Sequence, residues 1–430
     1  MERLGVEEVP PERRHGKPVF QLTLWLSSNL TVADFALGAV LLTLGLSWAW
    51  IAAALTIGNV LGALLVGVLA SYGPEFGLPQ MMISRRFFGP RGNLPFSAAQ
   101  WISTLGWFSV NAIISGYVLE YAFGALPLWA YIAISALLQT AIAVYGYDAI
   151  HRAEYILSYV LGAYFVAALL LALSSGTRAL PSSGSFSPFA FAVALATTFS
   201  YIMSWAPYAS DYSRYLPKDT SRARIVLYVT LGGALASAFM EVVGMVMGAA
   251  TGNYSGLPVV LGQFMSRYGE GAVVLSVIMI FLGALTANVL NIYSNSLSLL
   301  SMFGRMRRWT GLLIGATIGL ILSVAGGLNF IGYYEGFLYF LDYWISPWIG
   351  VMIGAHASGL KDDSIGSRLL IAYLAALLVS VPFMNLGAAT SGMIGYVGPV
   401  SRMMGGADVS FFISLAAGLL LSLILSRRRA

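Results

Sequence analysis

The chain begins with a charged stretch holding three prolines, Met1 to Pro18, and then turns almost wholly apolar. From Val19 onward, apolar runs alternate with short polar connections. A hydrocarbon core needs about 20 apolar residues, each rising about 1.5 Å along a helix. On that measure the pattern predicts twelve spans: Val19–Leu46, Trp48–Ser71, Leu94–Phe123, Leu128–Tyr147, Tyr155–Ser174, Phe186–Ala209, Ile225–Ala250, Val273–Phe303, Gly311–Gly326, Glu335–His356, Leu369–Leu386 and Val409–Leu425. The class this implies is an all-α polytopic membrane protein, because lipid offers no partner to an unpaired backbone group and helices satisfy theirs internally.

Four spans interrupt the apolar pattern. In the first, Ser27-Ser28-Asn29, then Thr31 and Asp34, fall near mid-span. Unmatched polar groups in hydrocarbon are costly. Ser27–Thr31 therefore reads either as a break between two half-helices at a binding site, or as side chains bonding back to their own turn or joining two helices. In the third span Thr104, Trp107 and Asn111 recur on one helical face, which suits a cavity or an interhelical contact equally. The sixth carries Thr197-Thr198-Phe199-Ser200-Tyr201-Ile202-Met203-Ser204-Trp205-Ala206-Pro207-Tyr208, where Pro207 removes a backbone donor. The eighth, Thr286-Ala287-Asn288-Val289-Leu290-Asn291-Ile292-Tyr293-Ser294-Asn295, is the most polar membrane stretch. Interruptions five spans apart fit two inverted five-helix repeats with broken first members, the eighth span being the partner of the third. Spans eleven and twelve lack such features and read as peripheral. Glycine pairs four residues apart, Gly58…Gly62, Gly244…Gly248, Gly315…Gly319 and Gly350…Gly354, predict close helix packing. The connection 72–93, YGPEFGLPQMMISRRFFGPRGN, predicts turns and a short amphipathic stretch on the membrane surface.

Composition excludes a soluble domain: 58% of the 430 residues are hydrophobic and 10% charged, with a mean hydropathy of +0.79. The absence of cysteine excludes disulfides and thiolate chemistry, and His15, His151 and His356 form no metal-ligand pair in sequence. The first twenty residues lack the apolar core of a signal peptide and read as a retained cytoplasmic tail. A net charge of +5 raises the question of nucleic acid, but its distribution answers it. All 23 Lys and Arg residues except Arg178, Arg267 and Arg402 fall in alternating connections, which the positive-inside rule assigns to the cytoplasm together with both termini. Three acids lie within spans, and intramembrane acids are functional candidates. Asp34 suits a cap on the second half-helix. Asp342 suits an interfacial position near the outer third of the tenth span. Glu241 lies deep in the seventh without a partner nearby in sequence, and is the candidate protonatable group.

Several of these stretches together resemble the purine–cytosine permease family, nucleobase–cation symporters with a LeuT-type fold. Trp25…Ser28-Asn29…Phe35-Ala36-Leu37-Gly38 is similar to the family's first broken helix. Gly73-Pro74…Gly77-Leu78-Pro79-Gln80-Met81…Ser84-Arg85…Phe88-Gly89 is similar to its signature between helices 2 and 3. Asp211-Tyr212-Ser213-Arg214-Tyr215 resembles its motif after helix 6, with Ser210 where proline is usual. Asn288-Val289-Leu290-Asn291-Ile292-Tyr293-Ser294 and Gly106-Trp107-Phe108 resemble its helix 8 and helix 3 motifs. The resemblance covers most of the chain from Trp25 to the end of the tenth span.

The resemblance implies a planar substrate held by stacking on Trp107. The substrate-binding candidates are Ser28, Asn29, Thr104, Trp107, Asn111, Tyr201, Ile202, Ser204, Trp205, Gly283, Asn288 and Asn291. Asn111 stands where hydantoin-type members have glutamine, and Thr104 where bacterial cytosine permeases do. Ile202 falls where an aromatic residue usually forms the second face, so Tyr201 or Trp205 would have to replace it. The ion-coupling candidates are Ser28, Thr31, Thr286, Asn288 and Glu241. Sodium-coupled members carry two adjacent hydroxyls where this chain has Thr286-Ala287, so the coupling ion is H⁺ or Na⁺, with protons through Glu241 favoured. No other metal and no cofactor is implied. The chemistry suits such a ligand independently: stacking of a flat base is worth about 1–3 kcal/mol, and amides pair with base edges bidentately.

The expected organisation is a tail at 1–18, a ten-helix transport core at 19–360, and two further helices with a cytoplasmic C-terminus at 361–430. The expected function is secondary active import of cytosine, a purine or a related heterocycle across the cytoplasmic membrane. Helices 1, 2, 6 and 7 would rock against 3, 4, 8 and 9. Its partners would be a small nucleobase and the lipid bilayer, not nucleic acid. Same-fold importers of thiamine, allantoin, hydantoin or an amino acid are the alternatives. An intramembrane enzyme is disfavoured, since neither His-Glu-x-x-His nor Gly-x-Ser-x-Gly occurs.

Overall fold

The computed structural model describes residues 5–143, 147–174, 184–254, 259–304, 306–327, 330–360, 362–389 and 394–427. Of the basic residues that set the topology, Arg3, Arg178, Arg305, Lys361, Arg428 and Arg429 lie outside them. Among the described residues every regular element is a helix.

The first span is two half-helices, α1 (Phe20–Ser27) and α2 (Val32–Leu41), and the chain bends by 61° between them. The local cause lies in the polar run. Ser27 Oγ donates to Thr23 O at 2.9 Å, Ser28 Oγ to Leu24 O at 2.9 Å, and Asn29 Nδ2 to Trp25 O at 2.7 Å. These side chains take up the last carbonyls of α1, and Thr31 enters α2 from an extended conformation, φ −117°, ψ 157°. Back-bonding and the break are one device here.

The chain continues through α3 (Trp48–Ala70), α4 (Tyr72–Phe76), α5 (Gln80–Gly92), α6 (Leu94–Phe123), α7 (Leu128–Ala143), α8 (Tyr147–Ser174) and α9 (Pro188–Met203). A short 3₁₀ turn, Ala206–Tyr208, leads into α10 (Ala209–Ser213). Then follow α11 (Arg222–Thr251), α12 (Val259–Met265), α13 (Glu270–Phe303), α14 (Arg308–Gly326), α15 (Phe330–Ala357), α16 (Gly366–Ser380), α17 (Leu386–Ala389), α18 (Pro399–Met403) and α19 (Ser410–Arg427). Among the described residues nine helices are long and apolar enough to cross a membrane, ten with the bent first pair. The fourth and twelfth expected spans are apolar but shorter, over Leu128–Ala141 and Ser410–Ser426, so the count by length stops short of twelve. The sixth span is interrupted at Ser204–Tyr208 yet runs on without a sharp bend, unlike the first.

Packing sorts the helices into groups. α1, α2, α3, α9 and α11 pack on one another, as do α6, α7, α13 and α14. α19 lies along α15 and α16. The Gly38 and Gly244 backbones let α2 and α11 meet almost directly. A Cβ at Gly38 would strike the Glu241 carbonyl, and one at Gly244 the Phe35 carbonyl.

Two expectations are revised, the start of α8 and the setting of the connection 72–93. α8 starts at Tyr147, not Tyr155, which brings Glu154 inside the bundle, 2% exposed. Arg152 nearby had made that stretch read as a connection. Asp342 lies within the candidate span Gly336–Ala357 and is turned into the bundle, 2% exposed. The connection 72–93 is no free surface helix. Gln80, Met81, Ile83, Ser84, Phe87 and Phe88 of α5 are buried, because Gly77, at φ 63°, folds α5 back onto the helix ends. The N-terminal segment docks on the same end, Val9 N donating to Gly77 O at 2.8 Å and Arg14 Nη1 to Pro74 O at 2.7 Å.

Candidate functional site

Trp107 stands at the centre of an aromatic cage. Its ring meets Tyr201 at 5.2 Å, Phe337 at 5.3 Å and Tyr334 at 6.1 Å between centroids. The interplanar angles are 84°, 75° and 77°, so none of these three rings lies parallel to the indole. Tyr201 comes from α9, and its hydroxyl shares a 2.9 Å hydrogen bond with Thr31 at the break. Ile202, one residue on, points elsewhere: a Cβ at Gly62 or Gly233 would meet its methyls, which places it between α3 and α11. Of the two neighbours it is Tyr201, not Ile202, that meets the Trp107 ring, since one residue is a turn of about 100° on a helix. Trp205 stays beside the break. Its Nε1 donates to Asn29 Oδ1 at 2.9 Å, and its ring packs edge-on to Trp25 at 5.6 Å. Ser204 Oγ bonds back to Tyr201 O at 2.6 Å.

Next to the cage lies a chain of amides. Asn288 Oδ1 accepts from Asn111 Nδ2 at 3.2 Å and from Asn291 Nδ2 at 3.0 Å. Asn288 Nδ2 donates to Gln139 Oε1 at 2.5 Å and to Phe108 O at 3.0 Å. Tyr208 closes the chain by donating to Asn291 Oδ1 at 3.0 Å. Asn111 Oδ1 is buried and makes no hydrogen bond. Such an atom asks for a donor from a ligand. Thr104 belongs to a separate contact, accepting from Asn295 Nδ2 at 2.7 Å.

The ion-coupling candidates fall in two places. Thr286 Oγ1 donates to the Ser27 carbonyl at 3.1 Å, and Ser27 Oγ bonds the carboxylate of Glu154. Gly283 lets α13 approach the break, as a Cβ there would lie 2.7 Å from Leu30 O. Glu241, on α11, faces the other half-helix, α2. Its Oε2 accepts from Asn59 Nδ2 at 2.6 Å, while Oε1 is buried without a hydrogen bond. Both carboxylate oxygens of Asp34 are buried without a bond of ordinary geometry, although the Ser237 hydroxyl is beside them. Asp34 is a titratable neighbour of Glu241.

Three of the stretches that carried the family resemblance converge on one another, away from the cage. Asp211 accepts from Gln80 N at 2.8 Å and from Ser294 Oγ at 2.6 Å. Tyr212 OH donates to Leu290 O at 2.8 Å, and Arg214 reaches Tyr293 OH at 3.0 Å and Gly5 O at 2.8 Å. Three motifs distant in sequence thus tie one end of the bundle.

Residues that the sequence reading passed over include Glu154, Gln139, Tyr208, Tyr334 and Phe337. Tyr208 lay in the polar sixth span and could have been found there. Nothing local marks the others as partners of this site.

The sequence profile of a family described as permeases for cytosine/purines, uracil, thiamine and allantoin matches residues 8–358. YxlA of Bacillus subtilis (strain 168) is 28% identical, over 100% of this chain and 96% of its own length. The purine-cytosine permease fcyB of Emericella nidulans is 27% identical over 97% of this chain and 86% of its own. Among solved structures, Mhp1 is described as a nucleobase-cation-symport-1 family transporter in a closed conformation with bromovinylhydantoin bound. It superposes with a TM-score of 0.79 at 19% identity, over 99% of this chain and 95% of its own. A Na⁺-coupled sialic acid symporter superposes at 0.64 with 12% identity, over 97% and 91%. The fold is the all-α transporter fold these proteins share, of the LeuT type.

Proposed function

The chain belongs to the family of permeases for cytosine, purines, uracil, thiamine and allantoin, and on that premise we propose that it imports a nucleobase or related planar heterocycle, coupled to a cation. It is a multi-pass membrane transporter, not an enzyme. The observation that carries the substrate class is the aromatic cage around Trp107 beside the bonded amides Asn111, Asn288 and Asn291. A flat neutral ring gains stacking on one side and amide hydrogen bonds at its edge. The separate packing of the α2, α3, α9, α11 group and the α6, α7, α13, α14 group supports alternating access by rocking of one against the other. Trp107→Ala is expected to weaken binding of every base about tenfold or more in a folded protein, consistent with about 1–3 kcal/mol of stacking. Unchanged affinity removes Trp107 from the site.

Coupling runs on protons through Glu241 in this proposal, supported by its burial and its unbonded Oε1. A second reading, sodium at Thr286 and the Ser27 carbonyl, is favoured by their 3.1 Å contact at the break. Uptake into liposomes at fixed pH with choline in place of sodium separates the two. Uptake that stops, and returns with a sodium gradient alone, overturns the proton reading. The asymmetry of Lys and Arg supports cytoplasmic termini in the cell membrane, with 1–18 as tail, 19–360 as core and 361–430 as an addition. Single cysteines added at either end test this cleanly, as the chain has none of its own; labelling by an impermeant thiol reagent in intact cells would reverse the orientation.

A further inference from the structure

On the far side of Tyr334 from Trp107 lies a cavity of about 320 Å³ between α2, the first half of α9 and α15. Its size is at the lower end of small-molecule pockets, about 300–1,000 Å³. The wall is mainly aliphatic, with Ala36, Leu37, Val40 and Leu338 among its residues. Asp342 is part of that wall, 2% exposed, and its Oδ1 is buried without a hydrogen bond. The Ser200 hydroxyl lies beside this carboxyl group and donates to Leu338 O at 3.1 Å. A buried carboxylate oxygen left unbonded is expensive, so this position asks for a donor from outside the chain.

We propose that this cavity is a second binding site, an antechamber that receives heteroaromatic rings carrying an exocyclic amino group next to a ring nitrogen, held on Asp342. The inference rests on the transport reading above and deepens it. An amino group and a protonated neighbouring ring nitrogen present two parallel N–H donors, which a carboxylate accepts together. If the proton sits on the carboxyl group instead, the ring nitrogen accepts and the amino group still donates. An all-oxo ring puts a carbonyl beside each N–H, and that oxygen opposes the carboxylate. Tyr334 lines the cavity and also touches the Trp107 ring, so it is the partition between antechamber and cage.

The test uses the full chain in lipid nanodiscs, with cytosine and uracil as the amino and oxo probes. Two variants are compared with the wild type: Asp342→Ala removes the acceptor, and Ala196→Phe fills the cavity while leaving Asp342 in place. Thermal unfolding verifies that each variant is folded. Both variants are expected to lower the cytosine-to-uracil affinity ratio at least tenfold, whereas Trp107→Ala weakens both bases alike. An unchanged ratio in either folded variant overturns the antechamber. Equal loss of both bases in Asp342→Ala also overturns it, since it marks a general effect on the cage. Wild-type protein that binds neither base overturns the nucleobase reading itself, and the antechamber with it.

Discussion

The two halves of the first span meet opposite chemistry. At the end of α1 each polar side chain of the break has a partner: Ser27 bonds Glu154, Ser28 bonds Leu24 O, Asn29 joins Trp25 O to Trp205, and Thr31 joins Tyr201. Along α2 the opposite holds. Asp34 has no hydrogen bond of ordinary geometry, and Glu241 opposite has one, from Asn59. Satisfied polar groups fix a shape, whereas buried carboxylates with missing partners are costly unless something else neutralises them. On the proposed reading, the break supplies geometry and the α2–α11 contact supplies the chemistry that changes during the cycle.

The comparison can be broken most severely at Glu241. Glu241→Gln is expected to cut uptake driven by a pH gradient at least tenfold, a change of about 1.4 kcal/mol, while exchange of base across the membrane persists. Gradient-driven uptake at the wild-type rate would remove the carboxylate from coupling. On the bonded side, Thr286→Val removes one of the hydrogen bonds to the Ser27 carbonyl and should weaken substrate affinity about fivefold, in line with roughly 1 kcal/mol for a lost hydrogen bond. Should that variant instead lose only its response to sodium, the bonded side holds the ion and the contrast reverses. The smallest effects sharpen the contrast through stability. Asp34→Asn replaces a buried carboxyl group that has no hydrogen bond of ordinary geometry and should raise the thermal midpoint in detergent by about 2–4 °C. Glu154→Ala removes the partner of Ser27 and should lower it by a similar amount. Equal signs for the two would show that bonding state does not distinguish the sides.

Span positions and the place of the break were legible because their causes are local. Lipid selects apolar runs, and Ser27, Ser28 and Asn29 compete for carbonyls within their own turn. The glycine pairs predicted close packing for the same reason, and Gly244 does bring α11 against α2. The family motifs were legible as strings, but their convergence into one cluster around Asp211 was not.

What the chain alone determined was which residues share a face of their own helix: Thr104, Trp107 and Asn111, or the polar run of α13. Tertiary structure decided what each face meets. The rotation of α9 about its axis put Tyr201 against Trp107 and sent Ile202 toward Gly62. The depth of α8 carried Glu154 to Ser27, and the crossing of α3 and α11 joined Asn59 to Glu241 across 182 positions. The physical reason is that periodicity fixes angles within one helix, while the rotation, depth and crossing of neighbouring helices follow from how side chains fill the space between them.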